Sequence, residues 1–269
     1  MPMQARADLE ALLRARRLDG TLTSSMPLAG PEQAVAPSAL PQLDARLGGG
    51  WPRGQVSELV GPPSTGRTLV AATSLAAATR RGELAALVDA TDTFDPASAS
   101  VTGIVWSQLL WVRGVPVAPG HASREVTERV VDRAIKAASL VLSAGGFGLV
   151  VLDLADLPAI ALRRVAFTTW LRLQRMLEGR EAVVLLVASI SLGRSAGGVS
   201  VALAGPSAPC GAWRGASDRA RLFTGVAAHA TIRRARPSPD DDRAFEIGCQ
   251  VLGGCDPQVA RLGPQAVGS

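Results

Sequence analysis

The sequence predicts an α/β fold in which a mainly parallel sheet is flanked by helices. Three observations lead to this prediction. Short apolar runs alternate with amphipathic segments, a glycine-rich loop joins the first apolar run to a helix, and glycines follow several of the helical segments. Strands and helices that alternate in this way form right-handed βαβ units around a parallel sheet. An N-terminal helix arm and a C-terminal β-hairpin complete the predicted architecture.

Composition sets the class of protein. The chain has 269 residues, of which 47% are hydrophobic and 19% are charged, which is enough apolar content for one large core with short appendages. No apolar run approaches the roughly 20 residues that span a bilayer, and the first residues lack the apolar block of a secretory signal. The three cysteines follow no zinc or redox spacing, so we expect a protein of the reducing cytoplasm without a metal site. A net charge of +5 permits contact with DNA without demonstrating it.

The first 37 residues are predicted to be an arm and a tether. Ala5–Leu18 has leucines at helical spacing and arginines late in the segment, which indicates an amphipathic helix. This helix either packs on its own domain or docks on a neighbouring subunit or a partner. The leucines that would make that contact are Leu9, Leu12 and Leu13. Thr21–Pro37 is rich in Ser, Pro and Gly and is predicted to be extended or mobile.

Residues 38–252 are predicted to form the core, and residues 253–269 a tail. The core strands are predicted at Gln55–Val60, Leu84–Asp89, Gln108–Arg113, Phe147–Asp153 and Ala182–Ile190. The main helices are predicted at Thr65–Arg81, Ser123–Ser143 and Arg163–Glu178. Residues 193–217 are rich in Gly, Pro, Ser and Ala, and are interpreted as a loop with room for one weak strand. Residues 227–252 contain two strand patterns around a polar turn, which predicts the hairpin.

A glycine-rich loop is the main functional motif. LVGPPSTGRT at Leu59–Thr68 fits the phosphate-loop pattern G-x-x-x-x-G-K-[ST], except that arginine stands in place of the lysine. The nucleotide-binding residues that the pattern indicates, weak or vestigial, are Gly61, Pro62, Ser64, Thr65, Gly66, Arg67, Thr68 and Asp153.

In this pattern the loop N–H groups cradle phosphate, while Thr68 and Asp153 would hold magnesium. The guanidinium of Arg67 is planar and bulkier than an ammonium group. It either reaches the phosphates from outside or bonds to the loop itself and fills the site. Three hypotheses stay open: inherited architecture with little nucleotide affinity, weak binding of ATP and magnesium without hydrolysis, and a working ATPase.

Two arginine-rich segments are candidates for contact with DNA. An indole can stack on bases while arginines pair with phosphates, and this combination occurs at Trp213, Arg214, Arg219 and Arg221. A second group, predicted to share one helix, is either a solvated face or a patch for DNA or an acidic partner. Its members are Arg163, Arg164, Arg172 and Arg175.

The motifs together resemble the RecA recombinase core. The segment LDARLGGGWPRGQVSELVGPPSTGRT resembles the entry to that core, and LAALVDATDTFDP its second strand with the following Asp-Pro. GGFGLVVLD resembles the second nucleotide motif, and AVVLLVASISL the last parallel strand. The resemblance covers roughly Leu40–Leu252 and implies a RecA-type αβ core. No catalytic residue is assigned, because the glutamate that activates water in the family falls at Thr91, and the glutamine that senses the terminal phosphate falls near Ser189.

The short chain and these departures are similar to ImuA, the SulA/RecA-like accessory proteins of mutagenic translesion synthesis. That resemblance implies a non-catalytic role in the SOS response to DNA damage. It also implies contact with RecA or an ImuB-like Y-family polymerase homologue. Two alternatives stay open: a divergent, DNA-stimulated RecA-family ATPase, and a cell-division inhibitor of the SulA type.

Overall fold

The computed structural model describes residues 34–117, 123–192, 198–204, 211–214, 222–234 and 243–250. The helices in these ranges are α1 Pro41–Leu47, α2 Arg67–Arg80, α3 Pro96–Ser100, α4 Arg124–Ala144, α5 Ala159–Leu162 and α6 Phe167–Leu177, with a 3-10 turn at Trp106–Gln108. The strands are β1 Val35–Ala36, β2 Trp51–Pro52, β3 Val56–Val60, β4 Leu84–Asp89, β5 Leu109–Arg113, β6 Phe147–Asp153, β7 Val183–Ala188, β8 Val199–Ala204, β9 Gly211–Arg214, β10 Leu222–Arg234 and β11 Phe245–Gln250.

The main sheet has the strand order β11-β10-β8-β3-β7-β6-β4-β5, with β9 also paired to β10. Neighbouring strands from β8 to β5 are parallel, whereas β10 runs antiparallel to β8, β9 and β11. The predicted mainly parallel sheet and the predicted C-terminal hairpin are therefore confirmed. Strand β3 lies centrally, so the loop that follows it begins inside the sheet rather than at an edge.

Helices cover both faces of the parallel part. Apolar residues of α1, α2 and α3 pack on one face in a core that includes Leu59 and Leu75. Apolar residues of α4, α5 and α6 pack on the other face in a core that includes Val150 and Trp170. The strands between these layers are mainly apolar on both faces, as parallel strands with helices on each side are, although β3 also carries the buried Ser57 and Glu58. No described helix has the length and apolar character that crossing a membrane requires.

Three predicted boundaries differ from the structure. Residues 193–217 were expected to be mainly loop, but Val199–Ala204 forms β8 beside β3, and Gly211–Arg214 forms β9. The alternation Val-Ser-Val-Ala-Leu-Ala places every second side chain of β8 in the core, and the surrounding Gly and Ser residues hid this short pattern. Val35–Ala36, at the end of the predicted tether, pairs with β2.

The third difference concerns the helix predicted at Arg163–Glu178. It begins only at Phe167, because Leu162 ends the separate short helix α5 and Ala166 takes the extended backbone of a helix N-cap. Arg163 and Arg164 therefore precede α6 rather than lie on it.

Candidate functional site

The glycine-rich loop connects β3 to α2 through a tight backbone path. The Gly61 N–H donates to the Ala188 carbonyl of β7 at 3.2 Å, and the Thr65 hydroxyl donates to the Pro62 carbonyl at 2.8 Å. Gly66, at the N-cap of α2, has φ 88°, a left-handed conformation that favours glycine. A Cβ atom added at Gly61 would lie 2.7 Å from the Leu203 carbonyl of β8. The loop is therefore held closely against both neighbours of β3.

The side chain of Arg67 folds back against this loop. Arg67 is only 5% exposed, and one terminal guanidinium nitrogen donates to the Gly61 carbonyl at 2.6 Å. The same nitrogen lies 3.5 Å from the Ala155 carbonyl, and the other lies 3.9 Å from a carboxylate oxygen of Asp156. Of the two arrangements considered from the sequence, the structure has the one in which the arginine bonds to the loop itself.

Two carboxylates lie at the adjacent ends of β4 and β6, where Asp89 and Asp153 are register partners. The Asp89 carboxylate accepts from the backbone N–H groups of Thr93, at 3.1 Å, and Phe94, at 2.9 Å. Asp153 accepts from the Ala155 N–H at 2.9 Å. Burial raises the pKa of Asp153 to about 6, with the Ala155 N–H opposing the rise and the charges of Asp156 and Asp89 adding to it. Asp153 is ionised at neutral pH but takes up a proton more readily than an ordinary aspartate.

Thr91 occupies the position where the resemblance places the water-activating glutamate. It is buried, and its hydroxyl oxygen lies 3.2 Å from that of Thr93. The Thr93 hydroxyl in turn donates to Asp156 at 3.0 Å. A hydroxyl group is not a useful base near neutral pH, so Thr91 does not supply a general base, and these contacts join the loop after β4 to the loop after β6.

The carboxylate of the neighbouring acid, Asp92, is bound by an arginine of β5. Its carboxylate accepts two hydrogen bonds from Arg113, at 2.7 and 2.9 Å, and this ion pair lowers the pKa of Asp92. The Arg113 guanidinium also lies 4.8 Å from the centre of the Trp111 ring. Asp92 has φ 56°, a left-handed backbone at the turn after β4. Its carboxylate is thus bound in an ion pair with the end of β5.

The remaining predicted positions fall into two groups. Ser189, after β7, has a buried hydroxyl with no hydrogen-bond partner among the described residues, and Thr68 is exposed at the start of α2. The arm residues and two of the DNA-contact arginines lie outside the described residues: Leu9, Leu12, Leu13, Arg219 and Arg221. Trp213 and Arg214 lie on β9, but their side chains are also outside the described part of the protein. Within that part, no group of His, Cys, Asp and Glu residues could hold a metal ion.

Sequence reasoning missed Asp156 and Thr93, which connect Arg67 to the loop after β4. The signal in the sequence was the short spacing between Asp153, which is the last residue of β6, and Asp156. Both residues therefore lie at the same strand end, beside the phosphate loop. It also missed the contact of Gly61 with β8, because that strand itself was not predicted.

Comparisons with known proteins agree with the fold described above. The family model described as the RecA N-terminal domain matches residues 29–145. Among solved structures, the RadB recombinase covers 79% of this chain and 94% of its own, with a TM-score of 0.50 and 15% identity. The fold is RecA-like.

Curated relatives are similar over a shorter stretch. Protein RecA of Lactobacillus delbrueckii subsp. bulgaricus is 44% identical over 78 residues, which are 29% of this chain and 24% of that protein. Protein RecA of Gloeobacter violaceus is 36% identical over 106 residues, which are 39% of this chain and 27% of that protein. The chain therefore spans about a quarter of the length of the curated relatives it matches. Together these matches support a RecA-like family.

Proposed function

We propose that the chain is a non-catalytic RecA-like adaptor in DNA-damage-induced mutagenic translesion synthesis, similar to ImuA. Its partners would be RecA, an ImuB-like polymerase homologue, or both. The observation that carries the proposal is the buried Arg67, which bonds to the Gly61 carbonyl of its own phosphate loop. A loop that already holds a cation against its own backbone is a poor receptor for the terminal phosphates of ATP.

The surroundings of the loop support the same proposal. Thr91 offers a hydroxyl where hydrolysis needs a carboxylate, and Asp92 is held by Arg113. Ser189 is too short to carry a signal from a terminal phosphate to a distant loop. The RecA-like fold and the likeness to RecA proteins support a role in DNA repair. A scaffold kept without this chemistry is suited to binding other proteins of the same process.

A divergent, DNA-stimulated ATPase is the second candidate, and two observations favour it. Thr68 is exposed where a magnesium ligand would stand, and Asp153 lies at the end of β6, where the pattern places the acid that holds the ion. In this alternative Arg67 would leave Gly61 when nucleotide enters and would take the role of the lysine.

Binding to purified partners tests the adaptor role. The full chain is immobilised and titrated with RecA and, separately, with the ImuB-like polymerase homologue. We expect saturable binding of at least one partner, the same with and without ATP. Substitution of Leu9, Leu12 and Leu13 by arginine is expected to abolish one of these interactions, because it removes the apolar side of the predicted arm. Absence of binding to both partners would contradict the proposal.

A further inference from the structure

The segment that follows β6 carries an unbalanced positive charge. Residues 157–177 contain four arginines and no aspartate or glutamate. Arg164 donates to Glu128 of α4 at 3.0 Å. The other three, Arg163, Arg172 and Arg175, are exposed and make no ion pair in the described part of the chain. By contrast, α4 pairs Arg124 and Arg129 with glutamates of its own helix.

Exposed apolar side chains accompany these arginines. Ile160 is 65% exposed on α5, and Phe167 is 47% exposed at the start of α6. On α6, Arg175 lies on the side away from the buried stripe of Trp170, Leu173 and Leu177. Phe167, three residues before Trp170, lies in the first turn at the edge between the buried and the exposed side. Arg172 lies next to Arg175 on that same side.

The helix that presents this surface is held firmly. Trp170, Leu173 and Leu177 are buried in the core between α6 and the sheet. The Gln174 side chain accepts from the Val56 N–H at 2.9 Å and donates to the Gly54 carbonyl at 3.1 Å. A surface on such an anchored helix loses little conformational entropy when a partner binds.

We propose that Ile160, Arg163, Phe167, Arg172 and Arg175 form a docking surface, the α5–α6 face, for an acidic amphipathic helix of a protein partner. The inference rests on the adaptor role proposed above and names the chemistry of what is held. Charge complementarity selects the acidic flanks of the partner helix, and Ile160 and Phe167 receive its apolar side. A single strand of nucleic acid would use only part of this surface, because Phe167 can stack on a base but Ile160 offers no stacking plane and gains nothing from phosphate.

The test measures, by fluorescence anisotropy, the binding of a fluorescein-labelled helical peptide to the full chain. The peptide has about 18 residues, with leucines on one face of the helix and glutamates elsewhere. A scrambled peptide of the same composition and an oligothymidylate strand are the comparison ligands. We expect the amphipathic peptide to bind at least about tenfold more tightly than the scrambled peptide. Equal binding of the two peptides, or binding of the oligothymidylate alone, would overturn the proposal.

Variants locate the surface. Phe167→Ser, and Arg172→Glu combined with Arg175→Glu, are each expected to weaken peptide binding at least about tenfold. The matched controls on α4 are Leu140→Ser, at a side chain that is 71% exposed, and Lys136→Glu; they should change binding less than about twofold. If Phe167→Ser fails to fold, the double arginine variant still decides, since its side chains are exposed.

The peptide-binding test of the α5–α6 face can fail independently of the partner-binding test of the adaptor role. Peptide binding that is intact in a chain that captures neither RecA nor the ImuB-like protein would contradict the adaptor role and leave the α5–α6 face standing. If the α6 variants changed neither the capture of these partners nor the binding of the peptide, the α5–α6 face would be contradicted and the adaptor role would be left standing.

Discussion

Arg67→Lys should convert a loop closed by its own side chain into one that binds MgATP. In the wild type, nucleotide must displace the bond between the buried guanidinium and the Gly61 carbonyl, which has an N–O distance of 2.6 Å. A buried hydrogen bond to a charged group contributes about 1.5–3 kcal/mol. Breaking it would weaken nucleotide binding about 10- to 150-fold, since each 1.4 kcal/mol corresponds to about a factor of ten.

Lysine lacks the planar fork whose two nitrogens face Gly61 and Asp156, so its ammonium group is free to approach a phosphate. Thermal unfolding at increasing MgATP concentrations measures the difference. At a concentration of about one hundred times Kd, bound nucleotide adds about 2.7 kcal/mol of stability. We expect such stabilisation in Arg67→Lys at MgATP concentrations that leave the wild type unchanged.

The controls separate an effect at the loop from a general effect of replacing arginine by lysine. Arg129→Lys, at an exposed arginine of α4, should behave as the wild type, and Thr68→Ala added to Arg67→Lys should remove the gain. Arg67→Ala should unfold about 4–8 °C earlier than the wild type, because about 2 kcal/mol of buried hydrogen bonding is lost. The reasoning is refuted if the wild type binds MgATP as tightly as Arg67→Lys.

Three further substitutions test the packing and electrostatics of the same region. Gly61→Ala should destabilise the protein by about 1–3 kcal/mol in urea denaturation, because its Cβ would meet the Leu203 carbonyl at 2.7 Å. Gly248→Ala is the control, because its Cβ would have nothing within 4 Å, and it should cost less than about 1 kcal/mol. Equal losses of stability in the two variants would show that the close contact at Gly61 is absent. Asp153→Asn should stabilise the protein by up to about 3 kcal/mol at pH 8, and this gain should shrink between about pH 6 and pH 4. The pKa of Asp153 is raised from 3.8 to about 6 in the folded state, so ionisation of its carboxyl group opposes folding above that pH range. A gain in stability that does not change with pH would contradict this ionisation as its cause. Gln174→Ala should lower the stability by about 2 kcal/mol through its two lost hydrogen bonds, as measured by the same urea titration.

The parallel core could be predicted because most of its strands are continuous apolar runs, and β3, which contains Ser57 and Glu58, is followed directly by the phosphate-loop pattern. Leu84–Asp89 and Phe147–Asp153 have the bounds that the sequence indicated, and both are followed or preceded by glycine or polar turn residues. Strand β8 was missed because only three of its side chains face the core, a pattern too short to stand out between glycine-rich segments. Its place beside β3 depends on long-range pairing, which local sequence does not encode.

The candidate site could be predicted in its position but not in its contacts. The spacing of Gly61 and Gly66 located the loop, and the pattern identified Arg67 as the departure. Whether the guanidinium points outward or back to Gly61 is decided by packing around α2 and by Asp156, which comes from another strand end. Side-chain direction of this kind follows from the folded environment rather than from the motif.

Phosphate release from ATP, measured at steady state with magnesium, with and without single-stranded DNA, tests the central account most directly. If the loop is closed by Arg67 and no acid replaces the carboxylate missing at Thr91, release should equal the rate without protein under both conditions. Thr68→Ala should then change nothing. Turnover that rises with DNA and disappears in Thr68→Ala would contradict the account and identify the chain as a working ATPase.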